Sequence, residues 1–279
     1  MEIMLKYQSP GRKVLYELRR MEESELRGGK TNNATNAFFS LKYEGQKDGM
    51  DIFTYLVSGH TQTNRSGLYA WVEDLLPLTA HLQLGVKDDR IEKVFNRKKI
   101  CDLWERKIWY ATRKKHKGED NAEAMLENVD KTLRDDEIFA NTLRYAPPFS
   151  LLFSGIHAEV FDRNKIEKRR GRLPGFAGEA YLPLLIEDAI VVSEKSGEGY
   201  EIKSEGKLDE KEFNRDIFRT FVRTLSDDPT AVCDLSTRHT ERYLLDACGW
   251  VQTGMLLHLS VVPYFMLREE RCFLKAVQS

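Results

Sequence analysis

Ala37-Phe38-Phe39-Ser40-Leu41-Lys42-Tyr43-Glu44-Gly45-Gln46-Lys47-Asp48-Gly49-Met50-Asp51-Ile52-Phe53-Thr54-Tyr55-Leu56-Val57 is the stretch on which the fold reading turns. Two runs rich in aromatic and β-branched residues, 37–43 and 50–57, flank a polar segment with glycines at 45 and 49. That arrangement predicts a β-hairpin. Residues 28–36, just before it, are rich in Gly, Asn and Thr and read as a loop. Further back, Ser9-Pro10 has the form of an N-cap followed by a first-turn proline. Val14, Leu15, Leu18, Met21 and Leu26 then recur at helical spacing up to Gly28, so a helix is expected there. Residues 2–7 read as a short strand.

Moving toward the C-terminus, the middle reads as helical. Residues 68–84 are amphipathic, with Pro77 placed to kink or split them. Residues 90–117 and 121–144 form two long periodic stretches, the second closed by Pro147-Pro148, and 148–162 read as a shorter helix. Residues 171–183 hold three glycines and two prolines and look irregular. Residues 188–194 and 200–205 read as a second hairpin. Phe213, Ile217, Phe221 and Leu225 fall on one helical stripe. Residues 236–248 read as a helix capped by Ser236 and stopped by Gly249. Residues 250–267 and 272–277 read as strands, with Pro263 marking an edge, bulge or break. Strands at both ends of a helical centre predict an α+β fold. It divides into an N-terminal hairpin and helical lobe, 1–172, and a C-terminal α+β lobe, 173–279, or forms one integrated domain.

The chain has 279 residues, 41% hydrophobic and 31% charged, with a net charge of −1. Disorder requires low apolarity with high net charge, so it is excluded. The balanced charge leaves no global field to draw nucleic acid or membrane, and any such role needs a local patch. No apolar region follows the first residues as in a signal peptide, and the apolar run 254–267 is short for a bilayer span. The four cysteines are scattered, which disfavours a zinc site or a disulfide scaffold. A cytoplasmic location without membrane contact is the expectation.

Two basic clusters stand out. On the predicted helix 90–117, Val94, Cys101 and Ile108 stack on one face, with Trp104 and Ala111 beside them. Lys99, Arg106, Arg113 and Lys117 stack on the other, flanked by Lys107 and Lys114. The second cluster is Arg163, Lys165, Lys168, Arg169, Arg170 and Arg172. Basic side chains of this kind contact phosphate backbones and give salt-sensitive affinity. The leading expectation is a non-catalytic, nucleic-acid-associated subunit of a larger complex, bound to RNA or DNA, with no cofactor. The acidic stretch from Glu119 to Glu137 offers a second reading, in which matched charge blocks pair with each other or with other protein subunits.

One catalytic pattern is present. Asp188 opens a predicted strand, and Glu201-Ile202-Lys203 lies on the next, followed by a helix. Over residues 188–225 this order resembles the PD-(D/E)xK nuclease core. The resemblance implies that Asp188 and Glu201 hold Mg²⁺ and that Lys203 orients the attacking water. Glu159 or Glu179 would be a further acid. Hard carboxylates suit Mg²⁺, and the metal stabilises both reacting oxygens. The same residues also fit an ordinary hairpin, with Ile202 inward and Glu201 and Lys203 outward. The six histidines are dispersed, and His258, in an apolar run, reads as a core residue.

Overall fold

The computed structural model describes residues 2–162, 166–177, 180–192 and 199–277. In chain order, β1 (Glu2–Met4), β2 (Lys13–Leu26), β3 (Gly29–Lys47) and β4 (Met50–Gln62) come first. They are followed by α1 (Leu68–Thr79), β5 (His81–Lys87) and β6 (Arg90–Val94). The helical centre comprises α2 (Arg97–Leu103), a π turn at Trp104–Ile108, α3 (Trp109–Lys115), α4 (Ala122–Arg134), α5 (Asp136–Arg144) and α6 (Phe149–Leu152). Then come β7 (Val160–Asp162), β8 (Glu167–Ala177), β9 (Ala180–Val192), β10 (Gly199–Leu208), α7 (Arg215–Ser226), β11 (Ser236–Asp246), β12 (Val251–Val262) and β13 (Met266–Val277).

Eleven of these strands make one antiparallel sheet in the order β6-β5-β4-β3-β2-β13-β12-β11-β10-β9-β8, while β1 and β7 pair separately. The sheet is two sequential meanders, β2–β6 and β8–β13, joined where the first long strand pairs with the last. The predicted hairpin turns at Asp48-Gly49, both at positive φ, as a two-residue turn between right-twisted strands requires. The β5–β6 hairpin turns the same way at Asp88-Asp89.

This corrects the α+β expectation. One antiparallel sheet of eleven strands dominates the described residues, with most of the helices gathered between its two meanders. Residues 13–26 and 236–246, expected to be helical, are β2 and β11. The loop 28–36 is the start of β3, and the described residues of the irregular segment 171–183 belong to β8 and β9. The division at 172/173 falls inside β8. The expected helix 121–144 breaks at Asp135, which is extended at φ −105° and ψ 120°. Its carboxylate accepts from the Glu137 and Ile138 amides at 2.9 Å and so starts α5 as a new helix.

The sheet curls so that both of its ends feed one core. Leu84, Val86 and Ile91 from β5 and β6 share an apolar cluster with Ile190 and Ile202 from β9 and β10, around Trp104, Trp250 and Phe53. Helices α1–α6 fill this half. A smaller cluster closes the other end, where Phe218 and Val222 of α7 pack on Leu182, Leu184, Ile186 and Val262. The edges β6 and β8 approach each other without pairing, which leaves an incomplete barrel. At that gap, Arg144 at the end of α5 donates to the Ile91 carbonyl of β6 at 2.7 Å. The ring of Tyr145 meets that of Tyr181 on β9, with centroids 5.4 Å apart.

Candidate ligand site at the sheet seam

Between the two apolar clusters the inward face of the sheet is polar. Strand register aligns two adjacent rows across seven strands. One runs Glu22, Glu270, His258, His239, Gly206, Ile186, Arg169. The next runs Arg20, Cys272, Leu256, Glu241, Ser204, Asp188, Glu167. Arg169, Asp188, His239, Glu241, His258 and Glu270 are all buried. Burying charge is costly unless each ion is paired and hydrogen-bonded, and here the pairing is dense.

Arg169 is the hub. Its Nε donates to Asp188 at 2.8 Å, and Nη2 donates to Glu241. Glu241 also accepts from the Tyr243 hydroxyl at 2.8 Å and lies 2.8 Å from His239 Nε2. Burial pushes the Glu241 carboxyl upward, but Arg169, with His239 and Tyr243, outweighs it and holds the group well below the usual range. Burial wins at Asp188, whose pKa is raised despite Arg169. His258 lies 2.5 Å from the Ser260 hydroxyl. Burial, then the neighbouring His239 and Arg268, lower its pKa to about 3, so it stays neutral. Gly206 makes room for the imidazole next door: a Cβ there would sit 2.8 Å from His239 Cδ2. A second knot lies on β2 and β13, where Arg20 Nε donates to Glu270 at 2.8 Å and Arg268 lies 3.4 Å from the same carboxylate.

Where these rows reach the seam, they meet a cavity of about 60 Å³. Its walls come from both sheet edges and from the helical plug. They include Arg90, Arg144, Arg169, His239 and Glu241 on the polar side and Phe153, Leu173, Leu184, Ile186 and Leu256 on the apolar side. Ser150 Oγ and His239 Nδ1 are buried there without a hydrogen-bond partner among the described residues. A space of this size holds a few waters or one end of a small ligand, since one water needs about 10–15 Å³. Two open clefts of about 310 and 530 Å³ adjoin it. The first shares Arg90, Arg144 and Arg172, and the second shares Arg90 and Arg169.

The sequence-predicted nuclease site does not assemble. Asp188 registers with Ser204, whereas Glu201 registers with Val191, an odd number of residues away. The two carboxylates therefore point to opposite faces of the sheet. Asp188 is inside with Arg169. Glu201 is on the outside, bonded to Arg242 at 2.5 Å, with Lys203 beside it at 3.8 Å. They cannot share Mg²⁺, and among the described residues no group of three or more His, Cys, Asp or Glu side chains is placed to hold a metal. Glu159 is half-buried, and its pKa is raised by burial and then by Asp188. Glu179 lies outside the described residues.

The nucleic-acid expectation is corrected as well. In the second cluster Arg169 is sealed in the core, Lys168 pairs with Glu187 at 3.2 Å, and Arg170 lies 3.6 Å from Asp209 and 3.4 Å from Glu212. Arg163 and Lys165 lie outside the described residues. Alternation along β8 scatters this cluster over two faces instead of aligning it. In the first cluster Arg113 pairs with Glu123 at 2.9 Å, while Lys99, Arg106 and Lys117 are exposed on separate turns. The buried stripe runs Ile100, Trp104, Ile108, Thr112, His116, and Ala111 is exposed. The π turn widens the helix locally and keeps residues four apart on one face. The acidic neighbours pair within the chain: Glu119 with His116, Asp130 with Arg134, and Asp136 with Arg97. The two blocks thus pair in part within the chain, and the second basic cluster, split over two faces, does not form the phosphate-tracking row expected of it.

Sequence reasoning missed His239, Glu241, Ser150, Arg90 and Arg144. The one available signal was the alternation His239, Glu241, Tyr243, Leu245, a period of two in which the first members are polar.

No protein-family model matches the chain, and no curated protein matches it. Among solved structures it is similar to one described as "lipid–protein interactions in lipovitellin". The TM-score is 0.49 and the identity 8%, over 98% of this chain and 26% of that one. The chain therefore spans about a quarter of the length of that neighbour.

Proposed function

We propose that this protein binds a small amphipathic molecule at the seam of its incomplete barrel. One observation carries the reading: a cavity with one apolar wall and one charged wall, open to two clefts, holds buried polar atoms without a hydrogen-bond partner among the described residues. Buried polar atoms are nearly always partnered, so Ser150 Oγ and His239 Nδ1 mark where a ligand's polar end or water belongs. Ligand sites are commonly concave and apolar with a few convergent polar groups. The ion pairs behind the cavity fix those groups in place before any ligand arrives, which lowers the cost of binding.

The test is a fluorescence titration of the full chain with the neutral probe N-phenyl-1-naphthylamine, followed by displacement with dodecyl amphiphiles. Ser150→Phe fills the cavity and should weaken probe affinity by roughly tenfold or more, with an unchanged far-UV spectrum. Absence of probe binding by the wild type, or equal binding by a folded Ser150→Phe, overturns the reading.

A further inference from the structure

The seam is built asymmetrically with respect to charge. Five arginines line the cavity against two glutamates. Both glutamates are already held from behind: Glu241 by Arg169, His239 and Tyr243, and Glu270 by Arg20 and Arg268. Arg144 and Arg170 are fixed at the rim by Glu92 and by Asp209 and Glu212. Arg90 and Arg172 differ. Each is exposed, each lines the cavity, and neither has a side-chain hydrogen bond or ion pair among the described residues. They sit on opposite lips of the gap, Arg90 on β6 and Arg172 on β8. Two guanidiniums facing one opening from both sides are a clamp for a group with several acceptor oxygens. Just inside, the unpartnered Ser150 hydroxyl supplies one more donor.

We infer that the polar end of the ligand is an anion, a carboxylate or a phosphate, gripped between Arg90 and Arg172 at the mouth of the seam. This rests on the amphiphile-binding reading above and names its head group. The end of the apolar part next to the head lies along Leu173, Leu184 and Leu256, while the head remains at the lips, where solvation is partly retained. The anion therefore avoids the buried Glu241 and Glu270 carboxylates, and its charge is met by two cations without an ion-pair partner among the described residues, Arg90 feeling only the longer-range field of Glu159.

The experiment uses the full chain and probe displacement by a panel of equal chain length: dodecanoate, dodecyl phosphate, dodecyltrimethylammonium and tetraethylene glycol monododecyl ether. Inorganic phosphate and acetate serve as heads without tails. The anionic amphiphiles should bind roughly tenfold or more tightly than the neutral and cationic ones, as expected for charge-assisted hydrogen bonds. Arg90→Glu/Arg172→Glu should remove that preference and leave the neutral ether's affinity unchanged. Arg106→Glu, remote on the π turn, should leave every affinity unchanged. Equal binding of neutral and anionic amphiphiles overturns the anion inference while the amphiphile reading stands, as does a preference that survives Arg90→Glu/Arg172→Glu. Inorganic phosphate competing as well as dodecyl phosphate supports the anion and overturns the amphiphile. Failure of every compound to displace the probe overturns both.

Discussion

Arg169 occupies the only place in the seam where one cation serves two buried carboxylates, Asp188 and Glu241, among the described ion pairs. Its own side chain is 6% exposed, so water cannot replace it. Removing it strands two acids in a low-dielectric interior. Arg169→Met is expected to cost about 3–5 kcal/mol of stability, the range for breaking a buried pair from one side. Arg169→Met/Asp188→Asn/Glu241→Gln should cost less than Arg169→Met alone, because no unpaired charge remains. Urea unfolding of the three proteins measures both values. A loss near 1 kcal/mol for Arg169→Met would mean that solvent reaches the cluster. The same logic explains why Asp188 resembled a metal ligand in sequence. A carboxylate in an apolar run looks the same whether its partner is Mg²⁺ or an arginine nineteen residues earlier on the neighbouring strand, and Asp188 lies inside β9, not at its start.

At the scale of elements, legibility followed the apolar pattern. The hairpin of β3 and β4 and much of the strands β12 and β13 were readable, because most of their buried residues are hydrophobic at the right period. The helix α7 was readable but its face was not: Ile217 and Leu225 of the expected stripe are exposed, and Phe218 and Val222 are the buried residues. The strands β2 and β11 were not. In β2 the inward positions after Leu18 are Arg20 and Glu22, and in β11 they are His239 and Glu241, so alternation of hydrophobic with polar disappears. In β2, Val14, Leu18 and Met21 then mimic a helical face. The polar rows that build the site are thus what concealed the strands carrying it. The charged half of the site was visible in Arg169 and Asp188 only as residue types. Their convergence depends on register, which no local pattern encodes. By contrast α7 closes the barrel end by ordinary means. Asn214 caps it, accepting from the Ile217 amide at 3.0 Å, and Phe218 is buried in the smaller cluster. Asn214→Ala is expected to cost about 1 kcal/mol and Phe218→Ala about 3–5 kcal/mol by urea unfolding. Equal, small losses would show that α7 lies loosely on the sheet.

For the whole molecule, the decisive contact is between strands far apart in sequence. β2 pairs with β13 along twelve registered positions, from Leu15–Val277 to Leu26–Met266, and this joint alone turns two meanders into one sheet. Leu18, Cys272 and Leu274 meet the main core directly beneath it. The strands with free edges, β6 and β8, lie at the opposite extremes, where the seam opens. Stability should therefore be graded from the joint outward. Amides deep in a sheet exchange only through global opening, whereas edge amides exchange through local fraying. Native-state hydrogen exchange is expected to place the amides of β2 and β13 among the slowest in the chain. Those of β6 and β8 should exchange roughly tenfold or more faster. A bound amphiphile at the seam would slow β6 and β8 selectively, because it bridges the two edges and adds its binding energy only to the closed form. If β2 and β13 exchanged as fast as the edges, the two meanders would open independently, and the seam would no longer be the weakest line of the fold.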